Sequence, residues 1–211
     1  MSETVLYDYW RSSASYRLRI ALHMLGADFR TVPIDLLAKA HKSQEHLARN
    51  PQGLVPVLEI DGHVFSQSLA VIEYLDETRG GVFLPRDPVG RQRVRTLSYA
   101  IAMEIHPICN SHVGMHVMAL AGDSEEARIA WMQKFIGEGM AAFERLLDSP
   151  ATGVFCHGDR PTMADICLVP QVYNARRWNA DLSVCPRLVD IADRCAGLEP
   201  FAAAHPDKVV R

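Results

Sequence analysis

Val5-Leu6-Tyr7-Asp8-Tyr9-Trp10-Arg11-Ser12-Ser13-Ala14-Ser15-Tyr16-Arg17 opens on an apolar, aromatic run and ends in a cluster of hydroxyls and guanidinium groups. Val5 to Tyr9 is short and rich in strand formers, as a buried strand is. From Ser15 to Gly26 the period changes: Leu18, Ala21, Leu22 and Leu25 recur at helical spacing, and Gly26 supplies a C-terminal cap. Phe29 to Ile34 reads as a second strand, Lys42 to Ala48 as a weak, polar helix, and Leu54 to Ile60 as a third strand. Asp61-Gly62 is a tight-turn signal before a fourth strand, His63 to Phe65. Leu69, Ile72, Leu75 and Asp76 then mark a helix. A strand–helix–strand start needs parallel pairing with a right-handed crossover, and the Asp-Gly hairpin adds an antiparallel pair. The expectation for this part is an α/β domain with a mixed four-stranded sheet covered by helices.

Gly80-Gly81 and the stretch Pro85 to Pro88 break the pattern and mark a domain boundary. Beyond them no strand signal stands out. Val94, Leu97, Ile101 and Ile105 form one helical stripe; Ile129, Met132, Phe135, Ile136, Met140 and Phe143 form another. Thr162-Met163-Ala164-Asp165 has the spacing of a capping box, and Pro186 to Cys195 reads as a further short helix. The expected organisation is an α/β domain over 1–84, a linker over 85–90 and an all-helical domain over 91–211. Met103, Met115, Met118, Met132 and Met140 read as core packing of that second domain. Thr162 and Asp165 read as a structural cap.

The chain has 211 residues, 48% of them hydrophobic and 22% charged, which excludes wholesale disorder. Against 25 Asp and Glu stand 22 Lys and Arg, a balance that argues against a nucleic-acid partner. No apolar run reaches the length of a membrane span, and Arg17, Arg19 and His23 interrupt the most hydrophobic early stretch. Met1 to Tyr9 has no basic segment followed by an apolar one, so no secretory signal is expected. The cysteines, Cys109, Cys156, Cys167, Cys185 and Cys195, are odd in number and form no C-x-x-C pair. Reduced thiols in a cytoplasmic protein are the expectation.

Three patches can carry chemistry. Arg11-Ser12-Ser13-Ala14-Ser15 sits between the first strand and the first helix, where α/β folds bind ligands. A hydroxyl there bonds an anion, and the helix N-terminus adds partial positive charge. For any single serine the plainer reading, a helix cap, is the better one; three serines beside Arg11 exceed what one cap needs. The second patch is Asn50-Pro51-Gln52-Gly53-Leu54-Val55-Pro56. Pro56 cannot donate to a strand ladder, and a cis Val55–Pro56 bond would turn the backbone of Val55 toward a ligand; sequence context alone favours trans. The third is Ser66-Gln67-Ser68, either an ordinary helix start or a carboxylate site made of first-turn amides and the Ser68 hydroxyl.

Taken together, these patches and the two-part organisation resemble a glutathione transferase along essentially the whole chain, a thioredoxin-like domain followed by a helical one. The closer resemblance is to the zeta class, which isomerises maleylacetoacetate and maleylpyruvate. Ser12-Ser13-Ala14-Ser15-Tyr16-Arg17, the block from Asp61 to Leu75 and the block from Gly158 to Val172 carry it. The class pattern has cysteine where this chain has Ala14. The resemblance implies glutathione as cofactor and a homodimer. It implies that Ser12, with Ser13 and Ala14 beside it, stabilises the thiolate. It also implies that the Val55 backbone and a cis Pro56 meet the cysteinyl part, that Gln67 and Ser68 bind the γ-glutamyl part, and that His106 and Asn110 line the site. For a dianionic substrate the candidate anchors are Arg11, next to the serines, and Arg177, in a segment that matches the class. Arg176 is the weaker neighbour, and His112 is a third candidate contact. Maleylacetoacetate is the preferred substrate because the double serine is intact. The alternatives are maleylpyruvate, transfer or dehalogenation on small α-halo acids, and a non-catalytic glutathione-binding module.

His112 and His116 have the i, i+4 spacing of a metal pair, with His106 and Cys109 close in sequence. The ligand pattern is incomplete, and no metal is expected.

Overall fold

The computed structural model describes residues 3–209, and the chain divides into two compact units. One comprises the chain up to Phe83 and again from Leu198 on; the other is Leu84–Gly197. Among the described residues no helix is long and apolar enough to cross a membrane.

The first unit runs β1 (Val5–Asp8), α1 (Ser13–Met24), β2 (Arg30–Pro33), a 3-10 turn (Ala40–Lys42), α2 (Gln44–Arg49), β3 (Val57–Ile60), β4 (His63–Ser66) and α3 (Ser68–Thr78). Its sheet has the order β2-β1-β3-β4. β1 pairs with β2 in parallel, Val5 opposite Arg30, and with β3 antiparallel, Tyr7 opposite Val57. β3 pairs antiparallel with β4, Val57 opposite Ser66. This is the mixed sheet that the order of elements requires. All four residues of β1 are buried, and α1 buries Leu18, Ile20, Ala21 and Leu22 without residual exposure. Each such leucine or isoleucine stabilises the fold by about 1.5–3 kcal/mol.

Several boundaries differ from the sequence reading by a few residues, and three of the differences have a local cause. α1 starts at Ser13 rather than Ser15, because Ser12 is the residue that caps it. β3 starts at Val57 rather than Leu54, because Pro56 has no N–H to give a ladder. The weak helix over 42–48 is broken in two: Ser43 stops the 3-10 turn and restarts the chain as α2, its hydroxyl accepting from His46 N–H at 3.2 Å.

In the second unit α4 (Pro88–Tyr99) is capped by Asp87, whose carboxylate accepts from Gly90 N–H at 2.7 Å. Part of the stretch read as a linker is therefore helix, set by an Asp cap with Pro at the first helical position. α4 continues as a π-helix over Ala100–Ile105 and one turn, α5 (His106–Ile108). Pro107 has no N–H to close a bond to the Met103 carbonyl, and the wider turn bonds His106 N–H to Ile101 instead. α6 (Ser111–Leu120), α7 (Glu125–Leu146), α8 (Met163–Arg177) and α9 (Pro186–Ala196) follow. Val94, Leu97, Ile101 and Ile105 are buried as their spacing requires, as are Met132, Ile136, Met140 and Phe143. Ile129 is exposed. The methionines divide: Met132 and Met140 are core, Met118 is half-buried, and Met103 and Met115 are exposed. α6 buries only Gly114 of its residues, so its methionine at 115 has no core to enter.

The last residues correct the domain expectation. α10 (Glu199–Ala203) packs on α1 of the first unit and is not part of the helical domain. Tyr16 and Arg19 of α1 are buried and polar, and the carbonyls of Phe201 and Ala204 supply acceptors for them.

Candidate functional site

The pairing register gathers the three sequence patches. Val57 stands opposite both Tyr7 and Ser66. The chain past Asp8, the Val55–Pro56 pair and the chain past Ser66 therefore all leave the sheet at one end.

At that end Ser12 N–H donates to the Tyr9 carbonyl at 2.8 Å, closing a turn that delivers Ser12 to the start of α1. Ser12 is extended (φ −67°, ψ 121°), and its Oγ accepts from Ser15 N–H at 3.2 Å. A hydroxyl that accepts keeps its own proton to donate. The cap and the functional reading are thus compatible: the cap fixes the oxygen and leaves the proton. The amides of Ser13 and Ala14 have no acceptor within the helix, and the first turn holds no acidic residue. Ser13 is buried and Ala14 half-buried. Arg11 is half-buried, with its guanidinium carbon 4.6 Å from the Trp10 ring centroid and its Nη2 donating to Tyr9 Oη at 3.1 Å.

The Val55–Pro56 bond is cis, as the resemblance implies. The loop before it is pinned by groups the sequence reading did not single out. Asn50 is buried; its Nδ2 donates to the Leu54 carbonyl at 3.0 Å and its Oδ1 accepts from Gln52 N–H at 3.1 Å. His46 Nε2 lies 2.9 Å from the same carbonyl and, facing an acceptor, carries the proton. Lys42 Nζ donates to the Gly53 carbonyl at 3.1 Å. Gly53 has φ +59°, and a Cβ there would stand 2.8 Å from Lys42 Nζ and 3.0 Å from the His41 carbonyl, so only glycine fits without displacement.

At the third patch Gln67 precedes α3 with φ 68° and ψ 98°, a conformation that costs a non-glycine residue about 1–3 kcal/mol. Its side chain does not cap the helix; Nε2 donates to Gln52 Oε1 at 2.7 Å. Ser68 is buried, and its Oγ accepts from Arg17 Nη1 at 3.2 Å. Arg17 itself is 2% exposed. A cation is therefore built in beneath the start of α3, tying the serine motif to the Gln67–Ser68 patch. The hydroxyl of Ser68, like that of Ser12, accepts within the protein and keeps its proton.

The remaining candidates are in the helical unit. His106 is half-buried at the end of the π-helix. Asn110 holds the N-cap position of α6, yet its side chain makes no cap bond. His112 is exposed on the first turn of α6. Arg177 ends α8, exposed, with its guanidinium carbon 5.2 Å from the Trp178 ring centroid. Arg176, the weaker candidate, is committed to Asp193 at 2.8 Å. Every cysteine is in this unit, free and buried. Burial pushes the Cys109 thiol up to about 11 and raises those of Cys156, Cys185 and Cys195. None of these four is a ready nucleophile at neutral pH. Among the described residues no three His, Cys, Asp or Glu side chains come together as a metal site.

Residues 2–77 match the glutathione S-transferase N-terminal domain, and residues 129–204 the C-terminal domain. A protein from Rhizobium meliloti (strain 1021) named maleylacetoacetate isomerase is 71% identical over 208 residues, with 98% of each chain covered. A solved holo structure of maleyl pyruvate isomerase, described as a bacterial glutathione S-transferase of the zeta class, superposes with a TM-score of 0.94. It is 39% identical, with 97% of this chain and 98% of that one covered. The chain belongs to the zeta class of glutathione S-transferases. A second structure, a maleylacetoacetate isomerase from Methylobacterium extorquens AM1 with bound malonate and glutathione, has a TM-score of 0.93 at 34% identity. It covers 98% of both chains. The donors gathered at the sheet end fit glutathione: a hydroxyl proton and free amides at one helix start for a thiolate, and a hydroxyl, first-turn amides and a buried guanidinium at another for a carboxylate.

Proposed function

We propose that this chain catalyses the glutathione-dependent cis–trans isomerisation of maleylacetoacetate to fumarylacetoacetate. The observation that carries the reaction class is Ser12, a capping oxygen held in place with its proton unspent. The choice of substrate rests on the 71% identity to the Rhizobium protein of that name. Glutathione, when bound, supplies the thiolate that adds to the double bond, frees it to rotate, and leaves again.

The protein's task is to keep that thiol ionised and the diacid oriented. A free thiol has a pKa of about 8.5, and lowering it by two units takes about 2.7 kcal/mol. A charge-assisted hydrogen bond from Ser12 contributes about 1.5–3 kcal/mol, and the free amides at the start of α1 add to it. Ser13 and Ala14 supply that first turn. Lacking a cysteine at position 14 costs the reaction nothing, since the reactive thiol belongs to the cofactor. The Val55 backbone beside Pro56 pairs with the cysteinyl part. Gln67 and Ser68, with Arg17 beneath, hold the γ-glutamyl carboxylate. His106 and Asn110 line the glutathione and substrate site. Arg11 and Arg177, with His112 as a third contact, hold the carboxylates of the diacid, because guanidinium matches carboxylate geometry. The proposal extends to a cytoplasmic homodimer, supported by the family; sedimentation checks the oligomeric state.

Maleylpyruvate is the second reading, favoured by the holo structure of that name at a TM-score of 0.94. Isomerisation of both substrates, assayed side by side with and without glutathione, separates the two. Activity that requires glutathione and a higher kcat/KM for maleylacetoacetate is the expected result. A higher value for maleylpyruvate would reverse the choice. Glutathione binding with no turnover of either would move the function to α-halo acids or to a binding role.

A further inference from the structure

The guanidinium of Arg19 is 2% exposed, and each of its three nitrogens has a partner. Nη1 lies 2.8 Å from both oxygens of Asp8 at the end of β1. Nη2 donates at 3.0 Å to the carbonyl of Trp10, two residues before Ser12. Nε donates at 3.0 Å to the carbonyl of Ala204 in the C-terminal segment. One planar, rigid group thus joins the last residue of β1, the turn that presents Ser12, and the far end of the chain. The same segment is held on α1 at further points. Tyr16 Oη donates to the Phe201 carbonyl at 3.5 Å, and the His205 ring meets the Tyr16 ring edge-on at 6.1 Å. Phe201 and Ala204 are 1% and 0% exposed.

The turn also carries local contacts, Arg11 Nη2 to Tyr9 Oη at 3.1 Å and the Arg11 guanidinium over the Trp10 ring, but Arg19 ties it to both β1 and the C-terminal segment. Within the turn, Ser12 N–H to the Tyr9 carbonyl is the closing bond. Hydrogen bonds from a positioned donor weaken steeply as distance and angle depart from their optimum. A small displacement of Ser12 therefore costs thiolate stabilisation more than it costs the other two patches, which have hydrogen bonds of their own.

We propose that Arg19 is a positioning residue for the thiolate site, and that the segment from Leu198 on, acting through Arg19, sets where the Ser12 hydroxyl stands. This rests on the thiolate role of Ser12 given above. It makes the C-terminal segment part of the catalytic unit rather than a tail of the helical one.

The test uses the full-length chain with Arg19→Lys and, separately, Phe201→Ala. Lysine keeps the charge facing Asp8 but lacks the fork that reaches Trp10 and Ala204 together. Phe201→Ala loosens the segment without touching the turn. Two readouts are taken: hydrogen exchange of the amides of residues 9–16 in the ligand-free protein, and ultraviolet titration of the thiol of bound glutathione. In folded variants the amides are expected to exchange about tenfold faster. The bound thiol is expected to titrate about half a pH unit or more higher, with the glutathione dissociation constant changed less than about threefold. A folded Arg19→Lys protein with unaltered exchange and titration overturns the proposal. A Phe201→Ala protein that loosens only its own segment overturns the part assigned to the C-terminal segment. Should Arg19→Lys not fold, Phe201→Ala carries both readouts. An unsubstituted protein that binds glutathione without lowering its thiol pKa would overturn the role of Ser12 instead, and the exchange data would still decide the role of Arg19.

Discussion

At the start of α8, Thr162 Oγ1 accepts from Ala164 N–H at 3.3 Å and gives its own proton to Asp165 at 2.9 Å. Asp165 in turn accepts from the amides of Thr162, at 2.7 Å, and Cys156, at 2.9 Å. At the start of α1, Ser12 accepts from Ser15 N–H, and among the described residues nothing takes its proton. The chemistry of the two caps is the same and their accounts differ by one proton. The α8 cap is closed, fully buried, and spends every donor and acceptor on the fold. The α1 cap is left open at the end of the sheet where the three patches converge. A closed cap stabilises; an open one has a hydrogen bond to give to something that is not protein.

The largest expected effect falls on the closed cap. Asp165→Ala leaves the buried amides of Thr162 and Cys156 unpaired, and stability is expected to fall by about 2–5 kcal/mol. The kcat of whatever remains folded should be unchanged; chemical denaturation and kinetics on one preparation check both. A loss of kcat with intact stability would break the comparison. Ser12→Ala is expected to do the reverse. Turnover should fall about 10- to 100-fold, the value of one charge-assisted bond, while stability falls by only about 1 kcal/mol, the value of one cap.

A third helix start sharpens the contrast. α3 has no side-chain cap, and Gln67 before it is strained. Gln67→Gly is expected to raise stability by about 1 kcal/mol by relieving the left-handed backbone. The KM for glutathione should rise several-fold as the amide side chain is lost. Unchanged glutathione kinetics would show that the strain serves the fold alone. The smallest effect belongs to the far end of α8. Arg177→Ala should raise the KM for the diacid about fivefold, as an exposed ion pair warrants. The thermal midpoint and the KM for glutathione should stay in place. No change in diacid kinetics would place the anchor elsewhere.

How much of this the sequence discloses depends on how local the cause is. The mixed sheet follows from strand periods, one Asp-Gly turn and the need for a crossover. The α8 capping box is written in four consecutive residues. The cis bond at Pro56 is only one of two solutions until the resemblance selects it. The strain at Gln67 leaves no trace, because no glycine marks the left-handed position. Arg17 and Arg19 look like surface charges interrupting an apolar helix. Their partners, Ser68 for one and Asp8 and Ala204 for the other, are distant in sequence, and no periodicity reports them. For the same reason the residues after Leu198 read as part of the helical domain. A five-residue helix carries no pattern that tells which unit it will pack on.

The open cap on α1 is the centre of this account. Its most direct test is the pH dependence of kcat/KM for the diacid, at saturating glutathione, in the unsubstituted protein, Ser12→Ala and Asp165→Asn. The limb that rises with pH reports the thiol. Ser12→Ala is predicted to move it upward, toward the free-thiol value of about 8.5, while Asp165→Asn leaves it where it is. A Ser12→Ala protein whose limb coincides with that of the unsubstituted chain would contradict the account.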